Sequence, residues 1–276
     1  MRDIKLVEVR SEIAAGTRGA SLGIDALKIA SLDKTSDFFT RFDPINVPDA
    51  NNFLWKGNKH PHAKYIDGVY QVLKNVYSTI ESLRLEKLFP IVLAGDHSTA
   101  AGTIMGIKAA HPDKRLGVIW IDAHADLHTP YTTPSGNMHG MPIAAILGID
   151  NTSAQKNDIN PETQAYWNKL KAMSDHGTRV AKEHIVYFGV RDTEVEEDQL
   201  IEKLGIRNYK VEEVRRKGIP ACIQECKDRL ADCDILYLSF DVDSMDSDLV
   251  SEGTGTPVPK GFLPSEVQEI IIDLMK

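Results

Sequence analysis

The sequence has no apolar run near the roughly 18 residues a membrane-crossing helix needs, so an integral membrane protein is not expected. Its first ten residues, MRDIKLVEVR, are charged and alternating, unlike a secretory signal. Cysteine is scarce: Cys222, Cys226 and Cys233 are present and no CxxC pair exists. This argues against a disulfide framework or a structural zinc site and for buried apolar cysteines. Positive charge is in deficit, with 32 Lys and Arg against 40 Asp and Glu and a net charge of −8. Nucleic acid and anionic membranes are therefore not expected as partners, whereas a locally acidic site would favour a cationic ligand. Internal repeats and low-complexity linkers are also missing, which favours one domain in a cytoplasmic protein.

What is present is an alternation of strand-like and helix-like segments. Apolar runs at 5–9, 91–94, 116–121, 185–190 and 235–240 lack polar alternation, as strands of a parallel sheet buried on both faces do. Between them, Tyr65, Val69, Val72, Val76, Ile80 and Leu83 recur at spacings of three and four and form one helical stripe. Further helices are expected over 98–110, 161–173, 195–204, 219–230 and 264–275. The alternation predicts an α/β fold, three-layer α/β/α with a mostly parallel sheet. Two long irregular stretches, 41–63 and 127–138, are expected as loops, the second next to the active site.

Three of the apolar runs end in polar clusters. The run at 91–94 leads into Gly95, Asp96, His97 and Ser98; that at 116–121 into Asp122, His124 and Asp126; that at 235–240 into Asp241 and Asp243. Ligands of open parallel sheets bind beyond the carboxyl ends of strands, and residues i and i+2 of an extended chain point the same way. Such groups gathered without a counter-ion would cost several kcal/mol per buried charge. Asp122, Asp126, Asp241 and Asp243 carry −4 and His97 and His124 none, so two divalent cations cancel the set. An oxygen-rich set with imidazole and no thiolate suits Mn²⁺, with Co²⁺, Fe²⁺ or Zn²⁺ as alternatives. Two such ions can lower the pKa of a shared water and present hydroxide near neutral pH. His139, just past the 127–138 loop, is a candidate by its closeness in sequence. His60, His62, His111, His176 and His184 have no such context and read as surface or loop residues.

GDHS, DAHADLHTP, SGNMHGMP, SFDVDSMD and TGTPVP, in that order, resemble the ureohydrolase (arginase and agmatinase) family, and TTPSGNMHGMP resembles its arginase branch. The similarity runs from about Gly16 to the end. It implies a three-layer fold, a dinuclear manganese centre and hydrolysis of a guanidinium compound to an amine and urea. By resemblance, His97, Asp122, Asp126 and Asp241 would hold one ion, and Asp122, His124, Asp241 and Asp243 the other. A bridging hydroxide would attack the guanidinium carbon, hydrogen-bonded by Asp126, while His139 would deliver a proton to the leaving amine. Thr133, Ser135 and Asn137 match residues that hold the substrate's α-carboxylate, and Asp192 matches an acidic residue near its α-amino group.

Departures from the pattern fall at Ala94, in place of a first glycine; at His128, where an asparagine meets the carboxylate; and at Glu194, in place of an aspartate near the α-amino group. The family continues beyond its equivalent of 264–275 with another strand and a glutamate that grips the guanidinium. One ureohydrolase domain over 1–276, without the family's C-terminal strand and helix, is the expected organisation. The expected activity is arginase-type, manganese-dependent conversion of L-arginine to L-ornithine and urea, in a trimer or hexamer. The alternatives are another ureohydrolase, acting on agmatine or a guanidino acid, and a catalytically silent metal-binding homologue. The TTPSGN loop speaks against agmatine, because its polar groups would lack a substrate carboxylate.

Overall fold

The computed structural model describes residues 3–173, 179–250 and 252–276. The chain falls into two compact units, 1–112 with 128–179 and 113–127 with 180–276. Both are of the expected α/β class, with parallel sheets flanked by helices.

The first unit holds β1 (Ile4–Val9), β2 (Ile45–Val47) and β3 (Phe89–Ala94), paired in the order β2-β1-β3 and all parallel. Its helices are α1 (Gly23–Asp33), α2 (Phe38–Arg41), α3 (Ile66–Leu85), α4 (Thr99–Ala110), α5 (Pro142–Leu147) and α6 (Pro161–Ala172). The predicted stripe of α3 is buried from Val69 to Leu83. Two glycines let α4 approach it: a Cβ on Gly102 would lie 2.8 Å from the Leu73 carbonyl, and one on Gly106 2.6 Å from that of Tyr77. Backbones that close admit no side chain between them.

The second unit carries β4 (Leu116–Ile121), β5 (Ile185–Phe188), β6 (Arg207–Tyr209) and β7 (Ile235–Phe240), in the order β6-β5-β4-β7 and again parallel. Its helices are α7 (Val195–Leu204), α8 (Val211–Lys217), α9 (Ile219–Arg229) and α10 (Pro264–Met275). Central β4 is buried along its whole length, as its unbroken apolar run requires. Ile119, Ile121, Val186 and Phe188 pack with Val214, Cys222, Ile223, Cys226 and Ile270 in one core. Cys222 and Cys226 are thus apolar core residues, while Cys233 is half-buried. Strands β4, β5 and β7 end level: Ile121 pairs with both Phe188 and Phe240.

Among the described residues, two strands and four helices escape a sequence reading, the four-residue α2 among them. β2 is three residues inside the proline- and asparagine-rich 41–63 stretch, and β6 is the polar triplet RNY. Helix α1 buries only Ile24 and exposes Leu27, Ile29 and Leu32, so it has no clean apolar stripe; α5 and α8 are short. His60 corrects the surface reading. It is 1% exposed, with Nδ1 2.8 Å from the Thr163 hydroxyl. His176 lies outside the described residues.

Candidate active site

The second unit concentrates acidic groups where its strands end. Asp122 directly follows β4 and Asp241 directly follows β7. The Asp122 amide donates to the Phe188 carbonyl (3.1 Å) and the Asp241 amide to that of Ile121 (2.9 Å), so the ladder continues one step past each strand. Asp122 turns its Oδ1 onto the His124 amide (2.8 Å), and Asp241 its Oδ1 onto that of Asp243 (3.0 Å). Both DxH and DxD segments are therefore fixed by local side-chain-to-backbone bonds.

His124 sits among carboxylates. Its Nδ1 lies 3.1 Å from Asp243 Oδ2 and 3.5 Å from Asp122 Oδ1, and its Nε2 lies 3.5 Å from Asp192 Oδ2. Donor atoms of Asp122, His124 and Asp243 all fall within 4.8 Å of one another, at a point where Asp122 and Asp243 are buried. Burial alone would lower the imidazole's pKa, but Asp122 and Asp243 outweigh it and push it up to about 12. Conversely, burial and then the Asp122 charge raise the Asp243 carboxyl. The point strongly favours a positive charge.

Asp126 is also buried and adopts φ 49°, a left-handed conformation that an aspartate tolerates at a cost of about 1 kcal/mol. The chain on either side is pinned. Tyr187 donates its hydroxyl to the Ala125 carbonyl (2.9 Å), and Leu127 donates its amide to Glu197 Oε1 (3.0 Å). Glu197 also receives the Glu194 amide on Oε2 at 3.4 Å, so Glu194 stands at the start of α7 beside it. Burial, then the charges of Glu194 and Asp126, hold the Glu197 carboxyl well above the usual carboxylate range.

Glu197, Arg191 and Thr256 are residues of this site that sequence reading missed. Thr256, of the TGTPVP segment, donates its hydroxyl to Asp243 Oδ2 (3.1 Å), while Asp243 Oδ1 receives the Ala123 amide (3.2 Å). Arg191 gathers six carbonyls. Nε donates to Pro259; Nη1 to Gly189 and Ser244; Nη2 to Asp243, Met245 and Val258, at 2.8–3.3 Å. It ties the loop after β5, the DxD segment and the TGTPVP segment together. Burial pulls its pKa below the ordinary value against the carboxylates nearby. The only signal in sequence was its place beside Asp192 in GVRDTE.

The first unit carries the remaining candidates. His97 lies between β3 and α4, next to Asp96, whose Oδ1 caps the Ser98 amide (3.0 Å) and whose Oδ2 receives the Ser11 hydroxyl (3.3 Å) and Ala14 amide (3.4 Å). Asp96 is thus a scaffold for that turn. The 127–138 loop is irregular, as expected, but ordered by its own threonines and by Asn157. Asn157 Nδ2 donates to the carbonyls of Pro130 (3.1 Å) and Thr133 (2.7 Å). His128 is buried with Nδ1 3.1 Å from the Thr132 hydroxyl, Thr133 Oγ1 receives the Gly136 amide (3.0 Å), and Ser135 Oγ receives the Asn137 amide (3.1 Å). Gly136 has φ 75°, and a Cβ there would sit 2.0 Å from the Pro61 carbonyl, so no other residue fits. Asn137 Oδ1 accepts from Lys64 Nζ (3.0 Å), a cation that sequence reading did not connect with the loop. His139 follows in a single 3-10 turn, its amide donating to the Ala14 carbonyl (3.3 Å).

Comparison with known proteins decides the relationship. A family model described as the arginase family matches residues 2–276. The chain belongs to the arginase family. It is 32% identical over 262 residues to the arginase of Bacillus subtilis strain 168, covering 95% of this chain and 81% of that one. The structure of Entamoeba histolytica arginase in complex with L-ornithine superposes with a TM-score of 0.82 at 26% identity, over 100% of this chain and 88% of the other. Bacillus caldovelox arginase, in its native structure at pH 5.6, gives 0.81 at 29% identity, over 99% and 86%. As a member of the arginase family the protein is an amidinohydrolase, an arginase-type ureohydrolase.

Proposed function

We propose that the protein hydrolyses L-arginine to L-ornithine and urea with two manganese ions held by His97, Asp122, His124, Asp126, Asp241 and Asp243. The observation that carries this is the Asp122–His124–Asp243 cluster, buried at level strand ends in a chain of the arginase family. Its donors fit a divalent ion of this kind: carboxylate oxygens and imidazole with no thiolate, at a point where carboxylates draw positive charge. When bound, the ions supply a water ionised near neutral pH as the nucleophile.

The protein's own residues do the remainder. Asp122 and Asp241, fixed by the amides they receive, lie on both ligand sets, and Asp126 accepts a hydrogen bond from the attacking water. His139 donates a proton to the departing amine nitrogen, so that ornithine leaves neutral at that nitrogen and is protonated in solution. Asp192 and Glu194 take the α-amino group. Thr133, Ser135 and Asn137, with His128 beside them, take the α-carboxylate. With Asn137 Oδ1 engaged by Lys64, the amide presents its Nδ2 donor beside Gly16, which has no side chain to cover it. A donor with an ammonium next to it favours a substrate that carries a carboxylate, hence arginine over agmatine.

The test is urea release from arginine, agmatine and 4-guanidinobutyrate, run beside elemental analysis of the purified protein. Arginine should be fastest, with about two metal ions per chain and reactivation of stripped protein by Mn²⁺. Faster turnover of agmatine would overturn the substrate assignment, and bound metal without urea from any of the three would make the protein a silent homologue.

A further inference from the structure

At the opposite, amino ends of the second unit's strands, a second group of metal-binding residues comes together. His184 immediately precedes β5, and Asp232 and Cys233 lie just before β7. Six residues of strand separate this edge from Asp241, roughly 20 Å at the usual rise per residue. The group is therefore distinct from the candidate active site. We propose that His184, Asp232 and Cys233 form a further metal site, one that takes a borderline-soft divalent ion of the zinc type.

Geometry is the first support. One donor atom from each of the three residues lies within 4.8 Å of the others. Asp232 Oδ1 is 3.3 Å from His184 Nε2 and 3.9 Å from Cys233 Sγ. Metal–ligand bonds of about 2.0 Å to oxygen and nitrogen and 2.3 Å to sulfur, at tetrahedral angles, give edges of about 3.3 Å for O–N and 3.5 Å for O–S. Of the three edges, that from Asp232 to His184 already matches, that from Asp232 to Cys233 needs a few tenths of an ångström, and that from the imidazole to the sulfur is within 4.8 Å. The fourth position faces solvent beside Asp232, where water completes the shell.

Rigidity is the second. The Cys233 amide donates to Leu230 (2.9 Å), and the amides of Asp234 and Ile235 both donate to the Arg115 carbonyl. Sγ rests against Gly117 on β4, where a Cβ would come within 3.2 Å of the sulfur. Arg115 Nη1 pairs with Asp232 Oδ2 at 3.2 Å and helps to orient the carboxylate, whose two oxygens both lie 3.3 Å from the imidazole Nε2 while Oδ1 also faces the thiol. The half-buried imidazole, the exposed carboxylate and the thiol together remain within reach of solvent.

Chemistry separates this site from the other. Thiolate and imidazole select zinc, cobalt or copper over manganese, which the all-oxygen-and-imidazole cluster suits. Capture of the ion displaces the Cys233 thiol proton to solvent and forms a metal–thiolate bond, with no change of oxidation state. The ion would join residues 184 and 232, far apart in sequence, and so brace β5 against β7.

The test adds Co²⁺ to full-length protein held in excess Mn²⁺. A thiolate-to-cobalt absorption band should saturate at one ion per chain, because the Asp and His cluster contains no thiolate and is silent in that band. Cys233→Ser should abolish the band with urea release unchanged, and His184→Gln and Asp232→Asn should each weaken binding at least tenfold. Zn²⁺ should displace the cobalt and raise the melting temperature of the native protein but not of the variants. If Cys233→Ser does not fold, the other two variants carry the same comparison. No band, a band that survives in Cys233→Ser, or equal affinity in His184→Gln and Asp232→Asn would each overturn the proposal.

Discussion

Replacing Arg191 by alanine isolates the contribution of one side chain to three loops. The guanidinium has five N–H groups and six carbonyl partners, so at least one N–H is shared. Hydrogen bonds to a charged group contribute about 1.5–3 kcal/mol each, but those made by one cation are not additive. Truncation leaves six carbonyls around a vacated space. Water can reach those at the exposed side, whereas the Ser244 and Asp243 carbonyls belong to residues 0% and 4% exposed and are the costliest to leave without a donor. We expect a loss of about 3–4 kcal/mol, or roughly 5–7 °C in melting temperature for a chain of this size. Because Asp243 is one of the carbonyls' owners, its carboxylate should lose its fixed position as well. The affinity for Mn²⁺, read from metal-dependent stabilisation in thermal unfolding, should then fall at least tenfold. Arg191→Lys should fall between, since three N–H groups on one nitrogen cannot span partners on three segments. If Arg191→Ala unfolded within about 1 kcal/mol of the native protein and bound Mn²⁺ as tightly, the view of Arg191 as the tie between these loops would be wrong.

Asp241→Ala should lose most bound metal in elemental analysis, since Asp241 is assigned to both ions, while His139→Ala should keep its metal and slow urea release at least a hundredfold. Unchanged turnover in the latter would remove His139 from proton delivery. Lys64→Met should raise KM for arginine several-fold and leave that for agmatine unaltered; an equal change for both would separate Lys64 from carboxylate recognition. Glu266, at the first turn of α10, pairs through both oxygens with Arg215 (2.8 and 2.9 Å), and this guanidinium holds its carboxyl below the usual range. A depressed folded-state pKa stabilises above the unfolded value of about 4.3 and is lost as pH falls through the folded one. Glu266→Gln should therefore lower stability at pH 7 and shrink its decline between about pH 5 and 3, measured by urea unfolding across that range.

The parts of the fold that sequence reveals are those with unbroken apolar runs or marked ends, although burial differs among them. β4 is buried throughout, whereas β7, at the edge of its sheet, leaves Leu236 and Phe240 exposed where cover on both faces was expected. β4 and β7 can be delimited to the residue because their apolar runs stop where Asp122 and Asp241 begin, and α7 and α10 because Pro, Glu and Gly mark their ends. β2 and β6 are invisible for the converse reason: three residues with polar members are strands only because β1 and β5 offer them an edge. The same division runs through the site. Aspartate and histidine at alternate positions announce themselves, since nothing else explains such charge at the end of a buried strand. Arg191, Glu197, Lys64 and Thr256 do not, because what matters about them is the backbone or side chain they meet from a distant segment. His60 shows the converse: read as a surface or loop residue, it does lie in an irregular stretch, yet it is buried against Thr163, 103 residues away.

The level endings of β4, β5 and β7 set a strict tolerance on this architecture. Side chains alternate across a pleated strand, so losing or gaining one residue within β7 would not merely displace Asp241 by a few ångströms. It would turn Asp241, the first residue past the strand, to the reverse side of the sheet, and so carry the following turn, with Asp243, away from His124. Evolution can lengthen the loops of such a molecule with little penalty, yet its strands can change length only in steps of two.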